Sequence, residues 1–121
     1  IETPKGMPID ERLFIIHSEL KSIIERYKPE KAAIEKLYFA RNTTTALDVS
    51  KAIGVVLLLF RHYALPYREF SPLQVKQATT GSGKADKKQV QFMIMKLFKL
   101  KELPQPDDAA DALAIAFCGS L

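Results

Sequence analysis

The alternation of helical patterns with short apolar segments constrains the fold of this chain more than any other feature. After Asp10, the expected N-cap, apolar residues recur at the spacing of one helix face until Pro29 ends the pattern. Residues 32–39 and 65–71 are short apolar segments of the kind that form strands. Helices are expected over residues 43–63 and 72–78, after Ser82 or Asp86, and from Asp107 to about residue 117. Helices placed between strands predict an α/β protein, here one domain over residues 1–121.

Two strands make a poor sheet on their own, because both faces and both edges of a parallel pair need cover. The simplest explanation is that further strands lie upstream of Ile1. The helix over residues 43–63 is apolar on most sides in its second half, so it is expected in a core or between a core and a second subunit. Gly54 in that helix would permit close approach of a neighbour.

Positive charge is concentrated in one stretch of the sequence. The whole chain has a net charge of +4, whereas residues 76–101 contain seven lysines and one acid and are therefore +6. This stretch favours a polyanionic partner such as nucleic acid, although a solvated, lysine-rich helix face would have the same composition. The longest apolar run is too short for a membrane span. The single cysteine, Cys118, excludes an internal disulfide and suits a reducing compartment.

Three acids open the last predicted helix. Asp108 and Asp111 lie three residues apart and so on one helix face, with Asp107 before them and small alanines beside them. Two carboxylates on one rigid face, joined by a third from elsewhere, suit Mg²⁺ and the two-metal cleavage of a phosphodiester bond. Acids in a first turn also complement the helix dipole, so a purely structural role stays open at this point.

Glu35 is the one acid in the first apolar segment. Under the two-residue alternation of a strand, it shares a face with Ala33. A buried, unpaired carboxylate is costly, so Glu35 needs a cation, a metal or an open cleft, unless it lies at an exposed strand end.

The glycine-rich loop over residues 79–86 contains a Gly-Lys pair. A P-loop would need glycine and Ser or Thr at the positions that Ala78 and Ala85 occupy, so a nucleotide-binding loop is rejected. A flexible loop flanked by lysines can instead lie along a DNA backbone.

Three segments, in the same order and spacing, resemble the bacterial RuvC family of Holliday-junction resolvases: AAIEKLYFARN at 32–42, PLQVKQATTGSGKADKKQVQ at 72–91 and DDAADALAIA at 107–116. The resemblance covers essentially the whole chain. It implies a ribonuclease H-like fold, in which helices flank a mixed sheet, and a homodimer. It also implies a hydrolase, an endonuclease that uses Mg²⁺, or Mn²⁺ as a substitute, to resolve four-way DNA junctions by paired nicks in recombination and repair.

The resemblance also assigns roles to individual residues. Glu35, Asp108 and Asp111 match the family's catalytic acids and are the implied metal ligands. Lys76 and Lys87 match its catalytically important lysines. The implied DNA-binding residues are Tyr38, Arg41, Lys76, Lys84, Lys87 and Lys88.

One part of the family's pattern is not found. The family begins with a strand bearing Asp-x-Gly, whose Asp is a fourth acid, and no such strand occurs here. The family's first three strands are therefore expected upstream of Ile1, and the chain as it stands is expected to be inactive. A non-catalytic module that binds branched DNA, or one that only dimerises, is the alternative. The resemblance further implies a cytoplasmic protein that works with the branch-migration complex RuvAB, without a membrane.

Overall fold

The computed structural model describes residues 1–36 and 43–121. Over this part of the chain the elements are, in order, α1 (Ile9–Tyr27), β1 (Ala32–Glu35), α2 (Thr43–His62), β2 (Tyr67–Phe70), α3 (Pro72–Thr80), α4 (Lys87–Leu97) and α5 (Asp107–Ser120). The predicted α/β class is confirmed. None of the helices described is both long and apolar enough to cross a membrane.

The chain divides into two compact units, and the first contains α1 and α2. These helices pack against each other, and the buried apolar residues described in this unit include Ile24, Leu59, Phe60 and Leu65. The prediction that Asp10 caps α1 is wrong. The helix starts at Ile9, two residues earlier than predicted, after the extended backbone of Pro8. Asp10 therefore lies inside the first turn, where its charge complements the helix dipole. The expectation for Gly54 also changes, because none of the described atoms outside the helix's own backbone lies within 4 Å of a Cβ built there.

The second unit is built on the two strands. β1 and β2 run parallel, with Ala32 opposite Tyr67 and Glu35 opposite Phe70. Both strands are four residues long. Residues 37–39 of the first predicted strand lie outside the described residues. The second strand is shorter than predicted because the residues at both of its ends take part in helix termini. The Leu65 amide donates to the Phe60 carbonyl at the end of α2, and Ser71 caps α3.

Side-chain caps fix where α3 and α4 begin. Ser71 and Gln74 form a capping box at α3, and Asp86 and Gln89 form one at α4, so Asp86 rather than Ser82 is the cap. α3 continues past the predicted end to Thr80 and stops at Gly81, whose φ of 82° is readily adopted only by glycine. The loop that follows contains local hydrogen bonds. In it, the Ser82 amide donates to Thr80 Oγ1 at 3.1 Å and the Lys84 amide to Ser82 Oγ at 3.2 Å.

Candidate active site

Small residues bring α5 close to the sheet. The buried residues of this helix are Ala110, Ala114, Cys118 and Gly119. A Cβ built on Gly119 would lie 2.8 Å from the Cβ of Ala33, closer than real Cβ contacts come, so the helix and β1 meet with no space for a side chain. Ala33 and Glu35 point to the same face of β1 because side chains alternate along a strand. The close approach therefore places α5 on the face that carries Glu35.

An open pocket of about 260 Å³ lies beside this contact. Four charged side chains line it: Glu35 from β1, Lys76 from α3, Lys87 from α4 and Asp111 from α5. Its apolar lining is Pro72, Val75, Val90, Ala114 and Ile115. Four elements of one unit thus present two carboxylates and two ammonium groups to the same space. The Glu35 side chain is exposed there and is not an unpaired charge inside a core.

Lys87 is held by the start of α5. Its Nζ lies 3.3 Å from Asp107 Oδ2 and 3.9 Å from Asp111 Oδ2. The hydrogen bond from Lys87 to Asp107 raises the pKa of the lysine, and the negative charges of Asp111 and Asp107 raise it further. Desolvation opposes this shift, and Asp108 contributes least to it. Lys87 is therefore positively charged at neutral pH and is directed at the acidic end of α5.

Asp108 lies at the same helix end but is not among the residues that line the pocket. Its side chain is exposed. Within residues 1–36 and 43–121, no group of three or more His, Cys, Asp and Glu side chains could hold a metal ion. The carboxylates that share the pocket are therefore Glu35 and Asp111, and the role of Asp108 as a third ligand stays a prediction.

The donor set of the pocket fits a hard divalent cation. Mg²⁺ is commonly held by one or two carboxylates, with water and substrate phosphate oxygens completing its shell. Glu35 and Asp111 supply two carboxylates at one open pocket, so phosphate oxygens can reach the same place. The neighbouring lysines suit an anionic substrate better than a site that binds the cation alone.

A second open pocket, of about 780 Å³, gathers more of the predicted DNA-binding lysines. Lys84 and Lys88 line it together with Phe92, which is 56% exposed. The Nζ of Lys96 lies 4.7 Å from the centre of the Phe92 ring. Sequence reasoning did not single out Phe92. The available signal was an aromatic residue within the lysine-rich stretch of residues 76–101.

Two of the predicted DNA-binding residues, Tyr38 and Arg41, lie outside the described residues. Asp107 is the residue whose role the sequence did not reveal. It was recognised as one of three acids at a helix start, but its pairing with Lys87 depends on how α4 and α5 come together. Sequence spacing carries no signal for such a pair.

Known proteins match the chain over almost its full length. The family model "Crossover junction endodeoxyribonuclease RuvC" matches residues 1–119. The relative of that name from Pseudothermotoga lettingae is 52% identical, over 98% of this chain and 73% of its own length. The relative from Thermomicrobium roseum is 49% identical, and the match covers 98% of this chain and 72% of the relative's length. The chain belongs to the RuvC family, whose members are metal-dependent nucleases.

Solved structures agree with this assignment. The structure described as T. thermophilus RuvC in complex with Holliday junction substrate has a TM-score of 0.94 and 37% identity, and the match covers 99% of this chain and 73% of that one. A second Thermus thermophilus RuvC structure has a TM-score of 0.90 and 36% identity, and the match covers 99% of this chain and 72% of that one. The fold is therefore the ribonuclease H-like fold that the sequence predicted. Its sheet consists of two parallel strands over the described residues.

Proposed function

We propose that this chain forms the cutting site of an endonuclease that resolves four-way (Holliday) DNA junctions by paired nicks during recombination and repair. One observation carries the proposal: Glu35 from a strand and Asp111 from a helix line a single pocket with Lys76 and Lys87. The relatives named crossover junction endodeoxyribonuclease and the neighbour bound to a Holliday junction substrate support this substrate. The reaction is hydrolysis of a phosphodiester bond.

The carboxylates and the lysines of the pocket have different tasks. Glu35 and Asp111, with Asp108 as the third predicted ligand, would hold Mg²⁺ or, in its place, Mn²⁺. When bound, the cation supplies positive charge for activating water and stabilising the leaving oxygen. Lys76 and Lys87 bind phosphate oxygens and reduce the charge repulsion that opposes attack at phosphorus.

The second pocket extends the proposed DNA surface. Lys84 and Lys88 neutralise backbone phosphates of the junction, which positions the duplex without reading its sequence. Tyr38 and Arg41 are the further DNA contacts predicted from the sequence. Together with the pocket lysines, they would hold the junction across the catalytic acids.

A homodimer belongs to the same proposal, because a two-fold assembly matches a two-fold junction and allows paired cuts. α2 is the proposed dimer element. Its Leu47 and Leu58 are 63% and 67% exposed and lie 11 residues, about three helical turns, apart, hence on one side of the helix. A single domain over residues 1–121, a cytoplasmic location and cooperation with RuvAB complete the proposal.

The decisive experiment compares Asp111→Asn with wild type, in a version of the protein that carries the acid-bearing first strand implied by the family resemblance. With a labelled four-way junction and Mg²⁺, we expect cleavage to fall at least about 100-fold, since the cation that would stabilise charge in the transition state loses one of its carboxylate ligands. Junction binding in the absence of Mg²⁺ should persist. Asp108→Asn is expected to behave in the same way.

The matched control is Glu19→Gln, which also removes one exposed carboxylate but lies on α1, outside both the pocket and the proposed dimer element. It should cut like wild type. Full cleavage by Asp111→Asn would refute the assignment. Wild type that binds junctions in both the presence and absence of Mg²⁺ but never cuts them would favour the alternative, a non-catalytic module for branched DNA.

A further inference from the structure

Lys87 belongs to α4, but the acids that hold its ammonium group belong to α5. Lys87 is the first residue of α4, where the positive end of the helix dipole disfavours a cation. The first turn of α4 contains no acid. The partners of Lys87 come instead from the first two turns of α5, whose Asp107 and Asp111 lie within 4 Å of its ammonium group. The position of the Lys87 ammonium therefore depends on α5.

The two partners are not equivalent. Asp111 lines the proposed catalytic pocket together with Lys87, whereas Asp107 is not among the residues that line it. The Lys87 Nζ lies closer to Asp107, at 3.3 Å, than to Asp111, at 3.9 Å. Asp107 thus makes the shorter contact with the Lys87 ammonium, but its carboxylate does not line the pocket.

We propose that Asp107 is a positioning residue, which holds the Lys87 ammonium away from Asp111 and so leaves the Asp111 carboxylate available to a divalent cation. An ammonium group and a metal ion compete for the same carboxylate oxygens. Without Asp107, Asp111 is the remaining close carboxylate for Lys87, and the lysine moves onto it. The inference rests on the proposed function, because it assigns Asp107 to the same site.

The expected effect is modest because all three side chains are more than half exposed. Solvent screens such pairs, and their measured strengths correspond to about two- to five-fold in an equilibrium constant. We therefore expect Asp107→Asn to weaken cation binding by about that factor without preventing folding. Asp107→Glu keeps the charge and should restore most of the affinity.

The test uses the version of the protein that carries the acid-bearing first strand, and wild type below means that version without substitutions. It is a double-mutant cycle between Asp107→Asn and Lys87→Gln, with free Mn²⁺ measured by electron paramagnetic resonance in the absence of DNA. In the wild-type background, Asp107→Asn should weaken Mn²⁺ binding two- to five-fold. In the Lys87→Gln background it should have no effect, because no ammonium is left to compete. Equal losses in both backgrounds would show a general charge effect and overturn the inference, as would no loss in either.

Cleavage provides a second readout. For Asp107→Asn, the Mg²⁺ concentration at half-maximal rate should rise while the rate at saturating Mg²⁺ stays near wild type, whereas damage to the site would lower the saturated rate. Glu19→Gln, on α1, should change neither value. If wild type binds Mn²⁺ and cuts junctions but Asp107→Asn matches it, only this inference fails. If wild type neither binds Mn²⁺ nor cuts junctions, the proposed function fails with it.

Discussion

α2 and α5 each contain a glycine, and the two glycines have opposite surroundings. Among the described residues, no atom beyond the backbone of α2 lies within 4 Å of a Cβ built on Gly54, whereas one built on Gly119 would meet the Cβ of Ala33 at 2.8 Å. The glycine of α5 is thus required by the strand beside it, and that of α2 is not required by any described neighbour. The difference shows where the chain needs an exact fit, namely where a helix carries Asp111 to Glu35.

The strongest test of this comparison substitutes alanine at both positions. Gly119→Ala should lower the free energy of unfolding by about 1–3 kcal/mol, because the added methyl group overpacks the contact with β1. Gly54→Ala should raise it by about 0.5–1 kcal/mol, because alanine is the better helix former and space is available. Urea denaturation of both variants measures the two values.

Opposite signs are the outcome that the comparison requires. If both substitutions stabilise the chain, α5 does not depend on close contact with β1. If both destabilise it, Gly54 has a neighbour outside the described residues, and a second subunit on α2 is one such neighbour. Repeating the denaturation at several protein concentrations separates that case, because only a dimer makes stability depend on concentration.

The elements of the fold were predictable because local signals define them. The predicted helix starts at Pro72 and after Asp86, one of the two caps considered, are confirmed, and the side chains of Ser71 and Asp86 cap these helices. The errors occur where neighbouring elements compete for residues: Leu65 belongs to the turn that closes α2, although its sequence reads as strand. Short apolar segments do not reveal such competition.

The candidate site was predictable only in part. The sequence placed Glu35 on the Ala33 face of a strand and Asp111 at the start of a helix, and these residues now line one pocket. The preference of Lys87 for Asp107 over Asp111 could not be predicted, because it depends on distances between two helices that are set by packing. The sequence predicted which charged residues belong to the site, but it did not predict which of them pair with each other.

The second prediction compares lysines from the two units. Lys84→Gln combined with Lys88→Gln removes two cations from the large pocket of the sheet-containing unit. The slope of log affinity for a four-way junction against log salt concentration should become shallower by about 0.9 for each lost phosphate contact. Affinity at moderate salt should fall several-fold. Fluorescence anisotropy with a labelled junction, without Mg²⁺, measures both quantities.

The control for this experiment comes from the helix pair. Lys5→Gln combined with Lys21→Gln makes the same change in net charge at exposed positions before and within α1, in the unit of the helix pair. It should leave the slope near that of wild type, because these lysines are not proposed to contact DNA. If both double variants lose the same slope, net charge alone determines affinity, and the large pocket is not a DNA contact.

The smallest predicted effect concerns the exposed hydrogen bond between Tyr63 and Glu25 in the helix pair, which parallels the contact between Lys87 and Asp107 in the other unit. As Asp107 does for Lys87, Glu25 holds a proton on its neighbour: the hydrogen bond from Tyr63 to Glu25 raises the pKa of Tyr63 from 10.0 to about 12. The folded-state pKa is the higher one, so this contact stabilises the chain fully below pH 10 and is lost as the pH rises through about 12. Tyr63→Phe should therefore lower the free energy of unfolding slightly at neutral pH. The free energy of unfolding should also fall less in this variant than in wild type as the pH becomes alkaline.

The clearest measurement of this contact is the tyrosinate absorbance during an alkaline titration of the folded chain. Glu25→Gln removes the charge that holds the proton, so the Tyr63 titration should move down towards 10, its ordinary value. Lys51→Gln, on the same unit, should leave it in place. If Glu25→Gln leaves the highest tyrosine titration unchanged, Tyr63 is not held by Glu25 in solution. The parallel drawn with Lys87 and Asp107 would then apply to the sheet-containing unit alone.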